Sequence, residues 1–253
     1  VYQYSSGSWT QLGQDIDGEA AGDKSGFSVS LSNDGTILAI GAPFNNSYSG
    51  HVRVYEWTGK EWTQLGKDID GEAERDRSGR RSISLSSDGT IVAIGATQND
   101  ENGTDSGHVR VYQWNGTDTW TQLGSDIDGQ AQDDHSGWST ALSSDGTTLA
   151  ISGFHSLIPG YIKIYKWNET EWLQVLLING EAVDENFGFS VSLSGDGSIV
   201  AVGAKNYSDG YGSTHIYKLG SNEINSSESV IEPEEIPNNL KGGGLGGGLI
   251  LLR

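Results

Sequence analysis

The chain has 253 residues, 34 of them acidic against 15 basic, for a net charge of −19. Such a surface repels phosphate backbones, which argues against nucleic acid and anionic membrane surfaces as partners. The absence of cysteine excludes disulfides, thiolate metal sites and a cysteine nucleophile, and 37 glycines against 4 prolines suit short strands joined by glycine turns.

Val1-Tyr2-Gln3-Tyr4 opens the chain in mid-pattern, because it matches Val54-Tyr55-Glu56-Trp57 one period later, and no methionine precedes it. The sequence therefore reads as a processed or excised piece of a longer precursor. Trp9-Thr10-Gln11-Leu12 follows, then a return loop carrying Asp15, Asp17, Glu19 and Asp23. Phe27–Ser32 alternates apolar and polar residues with period 2, which predicts a strand. Asp34-Gly35 is a hairpin turn signal between alternating runs. It recurs at Asp88-Gly89, Asp145-Gly146 and Asp196-Gly197. The next strand, Ile37–Ala42, is almost wholly apolar, as expected where both faces are covered. A variable loop leads to a third strand, His51–Trp57, and a Thr58-Gly59-Lys60 turn leads to a fourth, Trp62–Leu65.

The whole block then returns. Its anchor tryptophans Trp9, Trp62, Trp120 and Trp172 stand 53, 58 and 52 residues apart. A period of this size marks one supersecondary unit used repeatedly, and each unit buries its apolar faces on its neighbours. Four antiparallel strands with a long return loop describe a β-propeller blade. The predicted fold is all-β, a β-propeller of four tandem four-stranded blades over residues 1–219, with repeats starting near 9, 62, 120 and 172. The last repeat stops at Leu219 without its W-T-Q-L strand. Either Trp9–Leu12 supplies that strand and closes a ring, or the repeats are a segment of a larger one. Residues 220–253 read as a flexible acidic stretch followed by a glycine-rich tail, far short of a membrane span.

Ser25-Gly26 through Gly41-Ala42-Pro43, and Phe187-Gly188 through Gly203-Ala204, resemble the FG-GAP repeat of integrin α-subunit propellers. The resemblance covers residues 1 to about 219. It implies a propeller used for adhesion and ligand binding rather than catalysis. The chain departs from that pattern where integrin-type repeats often carry a D-x-D-x-D-G calcium loop. Here the position is a tight turn such as Ser32-Asn33-Asp34-Gly35 with one carboxylate, whereas Ca²⁺ takes six to eight oxygens.

The return loops hold the candidate ligand-face acids: Asp15, Asp17 and Asp23; Asp68, Asp70 and Asp76; Asp126, Asp128 and Asp134; and Asp184. Glu19, Glu72, Asp133, Glu181 and Glu185 accompany them. These acids either bind Ca²⁺ or a basic partner, or cap turns through bonds from side chain to backbone. No other cofactor is indicated. Arg53, Arg110, Lys163 and His215 share one position of the third strand and read as ion-pair partners, and His51 and His108 also repeat without a second clustered histidine. Phe44, Tyr48, Tyr207 and Tyr211 sit in the variable loops, suited to stacking on sugar rings or to filling gaps between loops. Sequons at Asn45, Asn102, Asn115, Asn168, Asn206 and Asn225 exceed chance and lean towards a secreted or cell-surface protein. No nucleophile elbow or selected acid/base pair emerges. The expected function is a non-enzymatic adhesion or protein-interaction module, with a glycan-binding propeller and then a hydrolase as alternatives.

Overall fold

The structure is a computed structural model, and it describes residues 1–154, 159–206, 210–220 and 234–235. A hairpin of β1 (Tyr2–Ser5) and β2 (Ser8–Gln11) comes first. The first large sheet holds β3 (Ser28–Leu31), β4 (Ile37–Ala42), β5 (His51–Trp57), β6 (Trp62–Gln64) and a short β7 (Ile69–Asp70). The second repeats it with β8 (Ile83–Leu85), β9 (Ile91–Ala96), β10 (His108–Trp114), β11 (Trp120–Gln122) and β12 (Ile127–Asp128). The third holds β13 (Ser139–Leu142), β14 (Thr148–Gly153), β15 (Tyr161–Trp167) and β16 (Trp172–Asn179). The fourth holds β17 (Phe187–Leu193), β18 (Ile199–Ala204), β19 (Ser213–Lys218) and β20 (Glu234–Glu235). Among the described residues every pairing between these strands is antiparallel and joins strands close in sequence, and one isolated parallel bridge links Gly107 to Ser136.

Serines and tryptophans join one sheet to the next. The innermost strands stand side by side, β3 against β8, β8 against β13 and β13 against β17. Ser28 and Ser82 donate their hydroxyls to the Gly79 and Gly137 carbonyls of the following sheet. Ser30 and Ser84 accept from the Leu85 and Leu142 N–H groups. At the opposite end of these strands, Asn33 N–H donates to Ser87, Ser87 to Ser144 and Ser144 to Gly195, all through backbone atoms at 2.8–2.9 Å. The apolar strands β4, β9 and β14 are buried along their full length. Between neighbouring sheets lie successive apolar cores, such as Val52, Val54, Leu85, Val92 and Trp120.

The outer strands differ in length for a local reason. Gly66 and Gly124 follow the W-T-Q-L strand with φ of +77° and +82°. A Cβ at Gly66 would stand 2.6 Å from the Trp114 ring, so glycine is required both for conformation and for space. The strand breaks there and resumes as β7 or β12, which gives five strands where four are predicted. The third repeat has Val175-Leu176 in this stretch and no glycine, so β16 runs unbroken to Asn179 through a register shift at Ile164/Tyr165.

Closure through Trp9–Leu12 is corrected. These residues pair with Tyr2–Ser5 in a separate two-stranded sheet, and β19 pairs instead with β20. The reason is the two-residue loop Ser6-Gly7, whose φ values of +51° and +87° fit a tight hairpin turn and make the local pairing immediate. The first inner strand is correspondingly uncovered among the described residues. Phe27, Val29 and Leu31 are 51%, 61% and 48% exposed, whereas Ile83 and Leu85 of the second repeat are 9% and 8% exposed.

Candidate ligand-binding face

Loops leaving β4, β9, β14 and β18, and the return loops entering the innermost strands, gather at one end of the sheets; the Asp-Gly turns lie at the other. Each return loop delivers a residue after its glycine at the mouth of the inner strand. These are Phe27, Arg80-Arg81, Trp138 and Phe189. Phe27 meets Phe44, which meets Tyr48, and the Arg77 guanidinium sits 5.5 Å from the Phe44 centroid. Trp138 meets Phe154 at 4.9 Å and Phe189 at 6.0 Å. Arg81 lies 3.4 Å over the Trp138 ring and Lys205 4.2 Å over the Phe189 ring. A cleft of about 490 Å³ opens beside Phe189, between Ser190, Lys205, Tyr211 and Ser213. Burial pushes the Arg80 and Arg81 guanidiniums below their ordinary range, helped by the adjacent arginines. In a chain of net charge −19, this end therefore concentrates cations on aromatic faces.

The acids expected to face a ligand divide into three kinds. Asp23, Asp76 and Asp134 are buried, and the last two cap their turns through backbone N–H groups. The Asp76 carboxylate accepts from the Ala73 N–H at 3.0 Å and the Asn99 amide at 3.3 Å. Asp134 accepts from the Gln130 and Ala131 N–H groups, and Asp23 from the Asn45 amide. Asp184 is exposed on the 3₁₀ turn Val183–Glu185, and the buried carboxylate in that loop is Glu185, which accepts from the Glu181 N–H at 2.6 Å. Asp15 accepts from Gln11 at 2.8 Å and, with Asp17, lines a cleft of about 500 Å³ beside Tyr55, Lys60 and Trp62. Asp70 is an exposed residue of β7.

Asp68, Asp126 and Asp128 belong to a third kind, two repeated charge clusters. Arg53 on β5 holds Asp68 through its Nε and Nη2, each at 3.0 Å, and also pairs with Glu19. Gln64 donates to Asp68 at 2.7 Å. Burial pushes the Asp68 carboxyl up, but the Arg53 and Gln64 bonds outweigh it and hold the group below the usual range. The second repeat copies this arrangement: Arg110 pairs with Asp126 at 3.0 Å and with Glu72, and Gln122 donates to Asp126 at 2.5 Å. His51 and His108 lie at the start of their strands, 3% and 2% exposed. Each Nδ1 is 3.6 Å from the aspartate of its cluster and 3.9 Å from the glutamate. Neither Nδ1 has a hydrogen-bond partner. Burial lowers the His108 imidazole and raises the Asp128 carboxyl, the latter with help from Glu101.

The expected ion pair of Lys163 is corrected. The third repeat replaces the cluster as a set, with Tyr161 for histidine, Lys163 for arginine, Gln130 for glutamate and Leu177 in the outer strand. Lys163 is buried and lies 4.8 Å from the Tyr161 centroid, and burial lowers its ammonium. His215 stacks on Tyr217 and meets Phe187 edge-on.

Among the sequon asparagines, the amide of Asn45 is engaged by Asp23 and that of Asn102 donates to the Gly129 carbonyl at 3.1 Å. Asn115 and Asn168 accept from the N–H groups of Thr117 and Thr170 in exposed turns. Asn206 is exposed, and Asn225 and Tyr207 lie outside the described residues. Sequence reasoning missed Phe27, Trp138, Phe189 and the arginines 77–81 as a group, and it missed Glu101. The residue following each S-G or F-G pair is aromatic in three repeats and arginine in the other, and aligning the repeats column by column would have found it.

No family model matches the chain, and no curated protein matches it. Solved structures do. A prolyl endopeptidase structure is 15% identical, with a TM-score of 0.52 over 86% of this chain and 30% of that one. Sqt1 from Chaetomium thermophilum is 16% identical, with a TM-score of 0.52 over 79% of this chain and 44% of that one. The β-propeller domain of the Trilobed protease from Pyrococcus furiosus is 12% identical, with a TM-score of 0.48 over 82% of this chain and 55% of that one. The chain spans about half or less of the first two of the solved proteins it matches. At these identities the shared property is the fold: nearly all-β, with the successive antiparallel sheets, here of four or five strands, of a β-propeller.

Proposed function

We propose that the chain is a non-catalytic β-propeller of the FG-GAP type, built from four blades, that acts as an adhesion or protein-interaction module outside the cell. The observation that carries this reading is the end face where Arg77, Arg81 and Lys205 lie on Phe44, Trp138 and Phe189. Half-buried aromatic anchors beside cations are the composition of interface hot spots. Phe44 and Trp138 stand on loops and Phe189 at the entry of β17, all held by the sheet scaffold at the loop end where binding residues concentrate. The polypeptide surface this face fits is acidic and carries apolar side chains. Sequons at exposed turns such as Asn115 support a secreted or surface location.

A second reading, glycan binding, rests on the same rings, since aromatic faces also stack on sugars. The cleft beside Phe189, with Tyr211 and Ser213 on its wall, offers both a ring and hydroxyl partners. The likeness to endopeptidases is one of fold alone.

The test is binding of the purified chain to a panel of extracellular polypeptides and to a glycan array, with Trp138→Ala and Phe189→Ala as controls. Saturable polypeptide binding that weakens at least about tenfold in either variant supports the proposal. Binding confined to the array gives the glycan reading. Turnover of peptide or glycoside substrates, abolished by neither variant, overturns the non-catalytic assignment.

A further inference from the structure

We infer that Glu72, Glu101, His108 and Asp126 form a binding site for a divalent transition-metal ion, placed at the junction of the first and second large sheets. These residues each present one ligand atom, and the four atoms lie within 4.8 Å of one another. They come from four separate segments: the return loop between the two sheets, the β9–β10 loop, the start of β10 and the loop after β11.

Acidic clusters are common on protein surfaces, and this one is set apart by its histidine. His108 is 2% exposed, its Nδ1 has no hydrogen-bond partner, and three carboxylates surround that atom: Asp126 at 3.6 Å, with Glu72 and Asp128 at 3.9 Å. A buried ring nitrogen left unbonded is costly. The Asp128 Oδ1 facing it is buried and unbonded as well. A cation held with Glu72, Glu101 and Asp126 gives the His108 Nδ1 the partner it lacks, and the Asp128 carboxylate adds negative charge beside it. Four ligands around Zn²⁺, at bond lengths of about 2.0–2.1 Å, stand roughly 3.3 Å apart, so the His108 pairs at 3.6 and 3.9 Å need to close by about 0.3 and 0.6 Å.

Arg110 competes for these carboxylates, but it does not use them up. Its guanidinium takes one Glu72 oxygen, Oε1, and leaves Oε2 facing His108. Its Nε also donates to Asp126 Oδ2, the oxygen that faces His108, while Gln122 donates to Oδ1, and these bonds fix the carboxylate as hydrogen-bonded partners fix metal-bound carboxylates. Three carboxylates against one guanidinium leave net negative charge for a cation. Mixed imidazole and carboxylate ligation favours a transition ion over Ca²⁺, which takes oxygen ligands in larger number.

The other repeats act as internal controls. The first has Glu19, His51 and Asp68 in a similar arrangement but no fourth ligand among the described residues, and Asn45 donates to Glu19. It is therefore the weaker site. The third repeat has lost histidine, arginine and glutamate together, as expected of residues that serve one purpose.

The experiment uses the whole chain, stripped with chelator, then titrated with Zn²⁺ by calorimetry and with Co²⁺ by visible absorption. The expected result is a tight site with Co²⁺ ligand-field bands, a weaker second site, and a Zn²⁺-dependent rise in melting temperature. Glu101 is exposed, so Glu101→Gln should fold normally and lower the affinity of the tight site by at least about tenfold. His108→Ala should abolish the bands, and His51→Ala should leave the tight site intact. Absence of heat and of bands overturns the site. So does Zn²⁺ binding that is equal in the wild type and Glu101→Gln, or Ca²⁺ binding as tight as Zn²⁺, because either is the behaviour of a diffuse acidic surface.

Discussion

The indole N–H of Trp120 donates to the Leu65 carbonyl of the preceding sheet at 2.9 Å, and the same bond joins Trp62 to Leu12 and Trp172 to Leu123. Each of these three anchor tryptophans thus clasps the outer strand before it, while its ring pairs with the last tryptophan of its own β-hairpin, as in Trp114–Trp120 at 5.5 Å. Trp120→Phe keeps most of the ring and loses the donor. We expect it to cost about 1–2 kcal/mol in urea unfolding, because a part-buried carbonyl loses its partner. Trp9, 68% exposed, is the control, and Trp9→Phe should change stability by less than about 0.5 kcal/mol.

Gly66 and Gly59 separate conformation from space. Both have positive φ, +77° and +87°, but only Gly66 faces the Trp114 ring, and nothing lies within 4 Å of a Cβ at Gly59. Gly59→Ala should cost about 1 kcal/mol and Gly66→Ala more than about 2 kcal/mol, measured by chemical denaturation.

The four Asp-Gly turns make stability sensitive to acid. The Asp34 carboxylate accepts from the Ser32 hydroxyl and from the Thr36 N–H and hydroxyl, and the Ser32 hydroxyl bond is the largest cause of its lowered pKa. Burial pushes Asp88 and Asp145 up, but their turn bonds outweigh it, and Asp196 falls to about 2. Folded values below the unfolded ones mean that the folded state favours the charged form. Their contribution is fully present above about pH 4 and is lost as pH falls through the folded values towards 2. Melting temperature against pH should be flat in this respect from 7 to 5 and drop below 4. Asp88→Asn with Asp145→Asn should make that drop shallower.

Val29 and Ile83 occupy equivalent positions on β3 and β8, one 61% exposed and the other 9%. Val29→Asp should alter stability by less than about 0.5 kcal/mol. Ile83→Asp, which buries a charge without a partner, should cost more than about 3 kcal/mol. Equal effects in thermal melts would mean that β3 is covered in solution.

The repeated strands were legible because period-2 alternation and Asp-Gly turns are local signals, read correctly at Val29-Ser30-Leu31 and Asp34-Gly35. Where β6 ends was less legible, because the break at Gly66 depends on Trp114, 48 residues away in sequence and adjacent only in the folded sheets. The pairing of Trp9 with Tyr4 was hidden by reading Tyr2–Ser5 as a fragment rather than as half of a hairpin. At the candidate sites, the acids of the return loops were visible, but their roles were not. Asp76 and Asp68 stand in one loop with similar neighbours, and only burial and the position of Arg53 make one a turn cap and the other an ion-pair partner. Glu101 lies in a loop whose sequence varies between repeats, so its meeting with His108 had no periodic signal.

The backbone bonds from Asn33 to Ser87, Ser87 to Ser144 and Ser144 to Gly195 all run in one direction, each turn giving its N–H to the next turn's carbonyl. They use no side chain, so the residue at the turn is free to change, as Asn33, Ser87, Ser144 and Gly195 show. The junction between units is thereby indifferent to the identity of the neighbour. A gene duplication inserting one more unit would find a donor waiting on one side and an acceptor on the other, and the array can lengthen or shorten by whole repeats while each loop at the opposite end diverges towards its own partner.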